Sequence, residues 1–196
     1  MIQPRSYLTF KEGKKRQYFS PPVKEIDYSI ANRVFENVAE DFEEGHLGKF
    51  ITTVPFNKKQ SAYITSDSSL VIAGRYSFVA ENKDPDSEWN DMLISNPDLI
   101  PFKPGGTYKI GFDYRVLKFS PEKKMYAVAK SATGGLDSFV EAGLWYPESD
   151  KSGRIENTVT LKNYDDYFIC WGIQGAGKLL LDNIVIEEVK MKEILL

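Results

Sequence analysis

The chain has 196 residues, enough for one domain with a sizeable core. Its 25 Lys and Arg against 28 Asp and Glu leave a net charge of −3, which argues against nucleic acid as a partner. A single cysteine, Cys170, excludes an intrachain disulfide, and no apolar run of about 18 residues is present to span a membrane.

From the N-terminus, Met1-Ile2-Gln3-Pro4-Arg5 lacks the apolar stretch of a signal peptide. The chain is therefore expected either to stay inside the cell or to be a piece of a longer secreted protein. Residues 1–37 carry seven basic and four acidic side chains, so residues 38–196 carry net −6. That acidic body suits a cation or a neutral ligand better than a polyanion. Within the first segment, Ser6–Phe10 and Lys14–Phe19 flank Lys11-Glu12-Gly13 and predict a hairpin, ended by Pro21-Pro22. Asp27 to Glu36 has room for one short helix. Residues 1–37 read as a hairpin or linker, or as the end of a preceding domain, and 38–196 as the main domain.

Beyond residue 38 the apolar pattern has period two. Tyr108, Ile110, Phe112, Tyr114 and Val116 alternate with Lys109, Gly111, Asp113, Arg115 and Leu117, which predicts a strand with one core face and one polar face. Val140, Ala142 and Leu144 alternate with Phe139, Glu141, Gly143 and Trp145, and Ile155, Asn157, Val159 and Leu161 with Glu156, Thr158 and Thr160. Further strands are expected at 49–54, 70–80, 124–130, 166–173 and 178–189. Breakers separate them, at Lys103-Pro104-Gly105-Gly106, Ser120-Pro121, Thr133-Gly134-Gly135, Pro147–Gly153 and Gly175-Ala176-Gly177. Many short strands at this spacing predict an all-β sandwich or barrel.

Two motifs bracket this region. Glu40-Asp41-Phe42-Glu43-Glu44-Gly45 opens it, and Leu181-Asp182-Asn183-Ile184-Val185-Ile186 closes it with a lone acid inside an apolar strand. A carboxylate buried there needs a partner. Between them stand Ser68–Ser77, with Gly74 and Ser77 leading a strand, Phe102-Lys103-Pro104-Gly105-Gly106-Thr107-Tyr108-Lys109-Ile110, and Tyr164–Ile169. In order and spacing this set resembles the carbohydrate-binding modules of the galactose-binding-like jelly-roll group, over roughly Val38 to Val189. The resemblance implies an antiparallel β-sandwich in jelly-roll order and a non-catalytic accessory role beside glycoside hydrolases or other carbohydrate-active proteins. It also implies an extracellular or cell-surface setting, a monomer or one domain of a larger chain, and a structural Ca²⁺ held by Glu43 and Asp182 with backbone carbonyls. Hard oxygen ligands are what Ca²⁺ takes. The plain alternative is a pair of ordinary carboxylates, or Asp182 bonded to amides in a turn. Asp41 and Glu44 are weaker ligands.

Candidate ligand contacts are read from residue type. Trp171 shares its strand face with Tyr167, Ile169 and Ile173 and belongs in the core. Trp145, on the polar face with Glu141, pairs an indole with a carboxylate, as a pyranose ring needs: C–H groups stack on the ring while hydroxyls reach an acceptor. It could equally cover a sandwich edge. Trp89, in Asp86-Ser87-Glu88-Trp89-Asn90-Asp91, lines a loop-built site or plugs the loop from beneath. Asp113 and Arg115, on the polar face of the 108–117 strand, bond to sugar hydroxyls or form solvated pairs with a neighbouring strand. His46 is the only histidine, in a turn-like setting without a nucleophile motif, and Cys170 reads as a buried, inert thiol. Gly172–Lys178 lacks phosphate-loop spacing. The leading expectation is a module that binds a neutral polysaccharide or oligosaccharide. A spacer without a ligand comes second, and a small jelly-roll glycan-cleaving enzyme third.

Overall fold

The computed structural model describes residues 34–54, 59–119, 122–145 and 148–190, together with the backbone of 7–9 and 17–19; for Leu144 and Trp145 the backbone alone is described. The chain divides into two units, Met1–Arg33 and Val34–Leu196. In the first, β1 (Tyr7–Thr9) pairs antiparallel with β2 (Gln17–Phe19), Tyr7 opposite Phe19, as the hairpin reading expects. The helix expected at Asp27–Glu36 falls mostly outside the described residues, and 34–36 are not helical.

The second unit is an all-β sandwich of two antiparallel sheets. One is six-stranded in the order β11 (Ser152–Thr160), β8 (Thr107–Phe119), β13 (Gly177–Glu188), β6 (Ser77–Asn82), β5 (Gln60–Thr65), with β3 (Val38–Glu40) also on β13. The other is β10 (Val140–Trp145), β9 (Met125–Ser131), β12 (Tyr167–Ile173), β7 (Asn90–Ser95), β4 (Phe50–Ile51). The inward residues of β8 are those the alternation picks out: Tyr108, Ile110, Phe112 and Val116 are buried, and Tyr114 packs against the same core. They meet Ile169, Trp171 and Ile173 of β12. Trp171 is fully buried, with its ring edge-on to Phe50 at 5.7 Å and to Phe112 at 5.9 Å. Ala127 and Ala129 on neighbouring β9 are small where the indole needs room.

The first and last strands of the domain adjoin, with Ile184 opposite Glu40, and Phe42 shares the core with Ile184. β13 changes partner along its length. Gly177–Leu181 pairs with β6 and Ile184–Ile186 with β3, and the register against β8 breaks between Asp182 and Val185. Asn183 turns there through a left-handed conformation, φ 46°. The lone acid of the closing motif thus sits at a bulge where the strand exchanges neighbours.

Three strands escape the period-two reading: β3, only three residues long, and β5 and β7, which each open on polar residues and run for six. The strand expected over 70–80 starts only at Ser77. Leu70, Val71 and Ile72 belong instead to a segment tied down on the outward side of the six-stranded sheet. Arg115 Nη1 donates to Ser69 O (3.0 Å), Ser77 Oγ accepts from Ile72 N (2.9 Å) and Asp182 Oδ2 from Ala73 N (3.3 Å). Val79 and Leu180, paired with each other and on the parity opposite the core, are also fully buried. Among the described residues, no helix is long and apolar enough to cross a membrane.

Candidate functional site

The outward side of the five-stranded sheet carries a groove of about 450 Å³ lined by Trp89, Asp91, Tyr126, Val128, Lys130, Leu136, Phe139 and Glu141. Its floor follows from the alternation of β9. With Met125, Ala127 and Ala129 turned into the core, Tyr126, Val128 and Lys130 must point out. Tyr126 lies across Gly172 of β12, its register partner. A Cβ on Gly172 would come within 2.2 Å of the Tyr126 Oη and 2.3 Å of the Asn90 carbonyl. Only glycine allows this convergence. Gly172→Ala is accordingly expected to lift Tyr126 off the sheet and destabilise the domain by roughly 1–3 kcal/mol. Near-ultraviolet circular dichroism and a denaturation curve would show it, and an unchanged spectrum would contradict the packing.

The polar groups of the floor are fixed by one another. Tyr126 Oη donates to Asp91 Oδ1 (2.9 Å), and Lys130 forms an ion pair with Asp91 Oδ2. Burial, then the Asp91 charge, pushes the Tyr126 phenol well above its usual range, so it stays a donor. Burial alone would lower Lys130. Its ion pair with the Asp91 carboxylate opposes that and favours the charged amine. Its charge lies over the Phe139 ring at 5.8 Å and the Phe168 ring at 5.5 Å. Cys170 is buried among Tyr126 and Val128, and burial above all raises its thiol, which keeps it protonated and inert.

The walls come from loops. Trp89 immediately precedes β7, is 53% exposed, and stands edge-on to Tyr126 with ring centroids 4.8 Å apart. On the β10 side, Leu136 sits in a single 3-10 turn, Gly135–Ser138, and Phe139 follows it. Asp137 pins that turn by accepting from Tyr164 Oη (2.9 Å) and Lys162 Nζ (3.3 Å). Glu141 is an exposed carboxylate on the same side.

Of the five expected ligand contacts, Trp89 and Glu141 come together here. Asp113 and Arg115 do not: they are on β8, in the opposite sheet. Asp113 accepts from Arg154 Nη1 (3.0 Å) and Asn183 Nδ2 (2.8 Å), and Arg115 holds the Ser69 carbonyl, so both serve the fold. Trp145 was expected on the Glu141 face, but a bulge between Glu141 and Gly143 shifts the register. Glu141 opposes outward Val128, whereas Trp145 opposes core-facing Met125. The extra residue, Ala142, inverts the parity that strict alternation assumes. Tyr126, Asp91, Lys130 and Phe139 were missed. The available signal was β9 itself, where small residues on one face oppose an aromatic and a cation on the other.

The second expected site centres on Glu43 and Asp182. Glu43 Oε1 accepts from Arg75 N (2.7 Å) and Tyr76 N (3.1 Å) and packs over Gly74, where a Cβ would lie 2.2 Å from it. Asp182, 1% exposed, accepts from Ser77 Oγ (2.6 Å), Ala73 N (3.3 Å) and its neighbour's amide, Asn183 N (2.8 Å). Both carboxylates therefore converge on residues 73–77. Burial, and to a lesser degree the Glu43 charge, raises the Asp182 pKa. Neither forms an ion pair among the described residues. Two neighbouring acids, one buried and without a counter-ion, fit a hard cation chemically, although no group of three or more His, Cys, Asp or Glu gathers there or elsewhere among the described residues. Asp41 caps Glu43 N (3.1 Å) and Glu44 pairs with His46 (2.8 Å), so neither joins them.

No family model and no curated protein matches the chain. Solved structures do share its fold. The CBM22-1 xylan-binding domain of Paenibacillus barcinonensis Xyn10C has a TM-score of 0.61 at 13% identity, over 79% of this chain and 95% of that one. The C-terminal family 22 carbohydrate-binding module of Clostridium thermocellum Xyn10B has a TM-score of 0.60 at 13% identity, over 77% and 91%. The K2 cleaved adhesin domain of Lys-gingipain has a TM-score of 0.51 at 15% identity, over 77% and 97%. At these identities the likeness establishes the architecture: a jelly-roll β-sandwich of the kind found in carbohydrate-binding modules.

Proposed function

We propose that the domain is a non-catalytic carbohydrate-binding module and that the groove on the five-stranded sheet takes a neutral polysaccharide or oligosaccharide. The observation that carries this reading is the exposed Trp89 indole standing against Tyr126, above the fixed Asp91–Lys130 pair. An indole face offers stacking to sugar C–H groups, while Lys130 donates to hydroxyls and Glu141 accepts from them. Asp91 and Lys130 cancel in charge, leaving Glu141 unbalanced, which disfavours a polyanion. A spacer without a ligand would bury Trp89; it is half exposed. Support from the fold is of the same kind. One structure of this architecture is a xylan-binding domain, and another binds ligand through residues of its cleft. The role would be that of an accessory domain of a larger extracellular or cell-surface protein, itself monomeric.

Affinity electrophoresis against xylan, β-glucan, mannan and a polyuronate, followed by calorimetry with the retained sugar, tests the reading. Retention by at least one neutral glycan is expected, with Kd in the range of roughly 1 mM to 1 μM. Retention by none of them, or by the polyuronate alone, would count against it.

A structural Ca²⁺ at Glu43 and Asp182 belongs to the same proposal. With backbone carbonyls of the neighbouring segment it would fasten the start of the domain to the bulge of β13 and balance the buried Asp182. An ion that binds only the folded state raises the melting temperature with concentration. Chelation is expected to lower the melting temperature and added Ca²⁺ to restore it, with Asp182→Asn insensitive to both. A parent whose melting temperature ignores chelator would remove Ca²⁺ from the account.

A further inference from the structure

We infer that Asn82 is the positioning residue of the groove: its buried amide sets the loop that presents Trp89. The inference rests on the glycan-binding reading for its consequence, but not for its geometry. Asn82 ends β6 and is 2% exposed. Its Nδ2 donates to the Gly175 carbonyl (2.6 Å) and to Ser87 Oγ (2.5 Å), and its Oδ1 accepts from Asp84 N (3.1 Å). One amide thus ties the start of the loop, its middle, and the turn between β12 and β13. Ser87 passes the constraint on. Its Oγ accepts from Asn90 Nδ2 (2.9 Å) and donates to Asp84 O (3.0 Å), while its carbonyl accepts from Gly175 N (2.8 Å). Asn90 Nδ2 reaches the Ile173 carbonyl (3.2 Å) as well, and Gln60 donates to Asn90 Oδ1.

Trp89 lies between Ser87 and Asn90, both held by this network. The ring itself meets the groove floor edge-on at Tyr126. A half-exposed indole on a short loop would otherwise sample several orientations and lose that freedom on binding. A loop fixed beforehand avoids the cost. Asparagine is suited to the hub because one planar group donates twice and accepts once; aspartate has no donor for Gly175 or Ser87, and leucine has neither function.

The test is a double-mutant cycle on the full chain, read with a neutral oligosaccharide that the parent binds. Asn82→Ala is expected to weaken binding roughly tenfold. In a Trp89→Ala background it should weaken binding no further, because the ring it positions is gone. Equal losses in both backgrounds would make Asn82 a general structural residue and overturn the inference. Ser87→Ala removes the oxygen on which both amides converge, leaves Asn82 bonded to Gly175, and serves if Asn82→Ala does not fold; the same coupling is expected. A second readout needs no glycan. The Trp89 indole N–H resonance, assigned by its absence in Trp89→Phe, should broaden or move in Asn82→Ala or Ser87→Ala, with faster amide exchange across 84–89. An unchanged resonance overturns the inference. If the parent binds no glycan, the proposed function fails while this readout still decides the positioning.

Discussion

Trp171→Ala is expected to cost roughly 3–5 kcal/mol of folding stability, the range for truncating a fully buried tryptophan. Trp171 sits at the middle of the sandwich, where β12 faces β8, and both Phe50 and Phe112 present their edges to it. The alanines beside it on β9 cannot grow to fill the space, and the flanking strands are held in register on both sides. Relaxation is therefore restricted and most of the cavity persists. A loss of this size is a large part of the total for a domain with about 5–15 kcal/mol in hand. Chemical denaturation of parent and variant measures it directly. A loss below about 1 kcal/mol would place Trp171 outside the packed core, because surface substitutions fall in that range.

The fold was legible where burial is governed by local alternation. β8 shows this best: thirteen residues long, it keeps Tyr108, Ile110, Phe112 and Val116 on one side without interruption. The closing motif was legible for a different reason, since a carboxylate among Leu181, Ile184 and Ile186 is conspicuous wherever it lies. What alternation cannot carry is a change of parity or of sheet. At Ala142 one extra residue moves Trp145 off the parity of Glu141, and nothing in Val140–Trp145 marks the place. Asp113 and Arg115 were read correctly as an outward pair, yet which sheet holds their strand depends on long-range pairing. Leu70-Val71-Ile72 reads as a strand because it is apolar, although it accompanies the burial of Val79 and Leu180 instead of pairing. The groove was the least legible feature. It needs Gly172 beneath Tyr126, Asp91 beside it from β7, and Lys130 two face-steps along β9, three strands brought together by register alone.

Trp89→Ala is expected to abolish glycan retention while leaving the denaturation midpoint close to that of the parent. The ring is half exposed and meets Tyr126 edge-on, so little packing is lost on truncation. Binding loses far more. A central aromatic anchor at a recognition surface accounts for about 2 kcal/mol or more, equivalent to a roughly 30-fold weaker Kd. That removes retention in affinity electrophoresis, while calorimetry at high sugar concentration still reads the weakened Kd on which the Asn82 double-mutant cycle depends. Trp89→Phe keeps a smaller face and should retain part of the affinity. Tyr126→Phe keeps the floor but frees Asp91 from its hydroxyl donor, so its effect should be smaller than that of Trp89→Ala. Trp145→Ala provides the contrast, since its register position pairs with Met125 and not with the groove. It should keep glycan retention, measured under conditions where it is folded. Retention lost in Trp145→Ala but kept in Trp89→Ala would move the site away from this groove. Loss in Trp89→Ala with an unchanged denaturation curve would fix the indole as the surface on which the sugar rests.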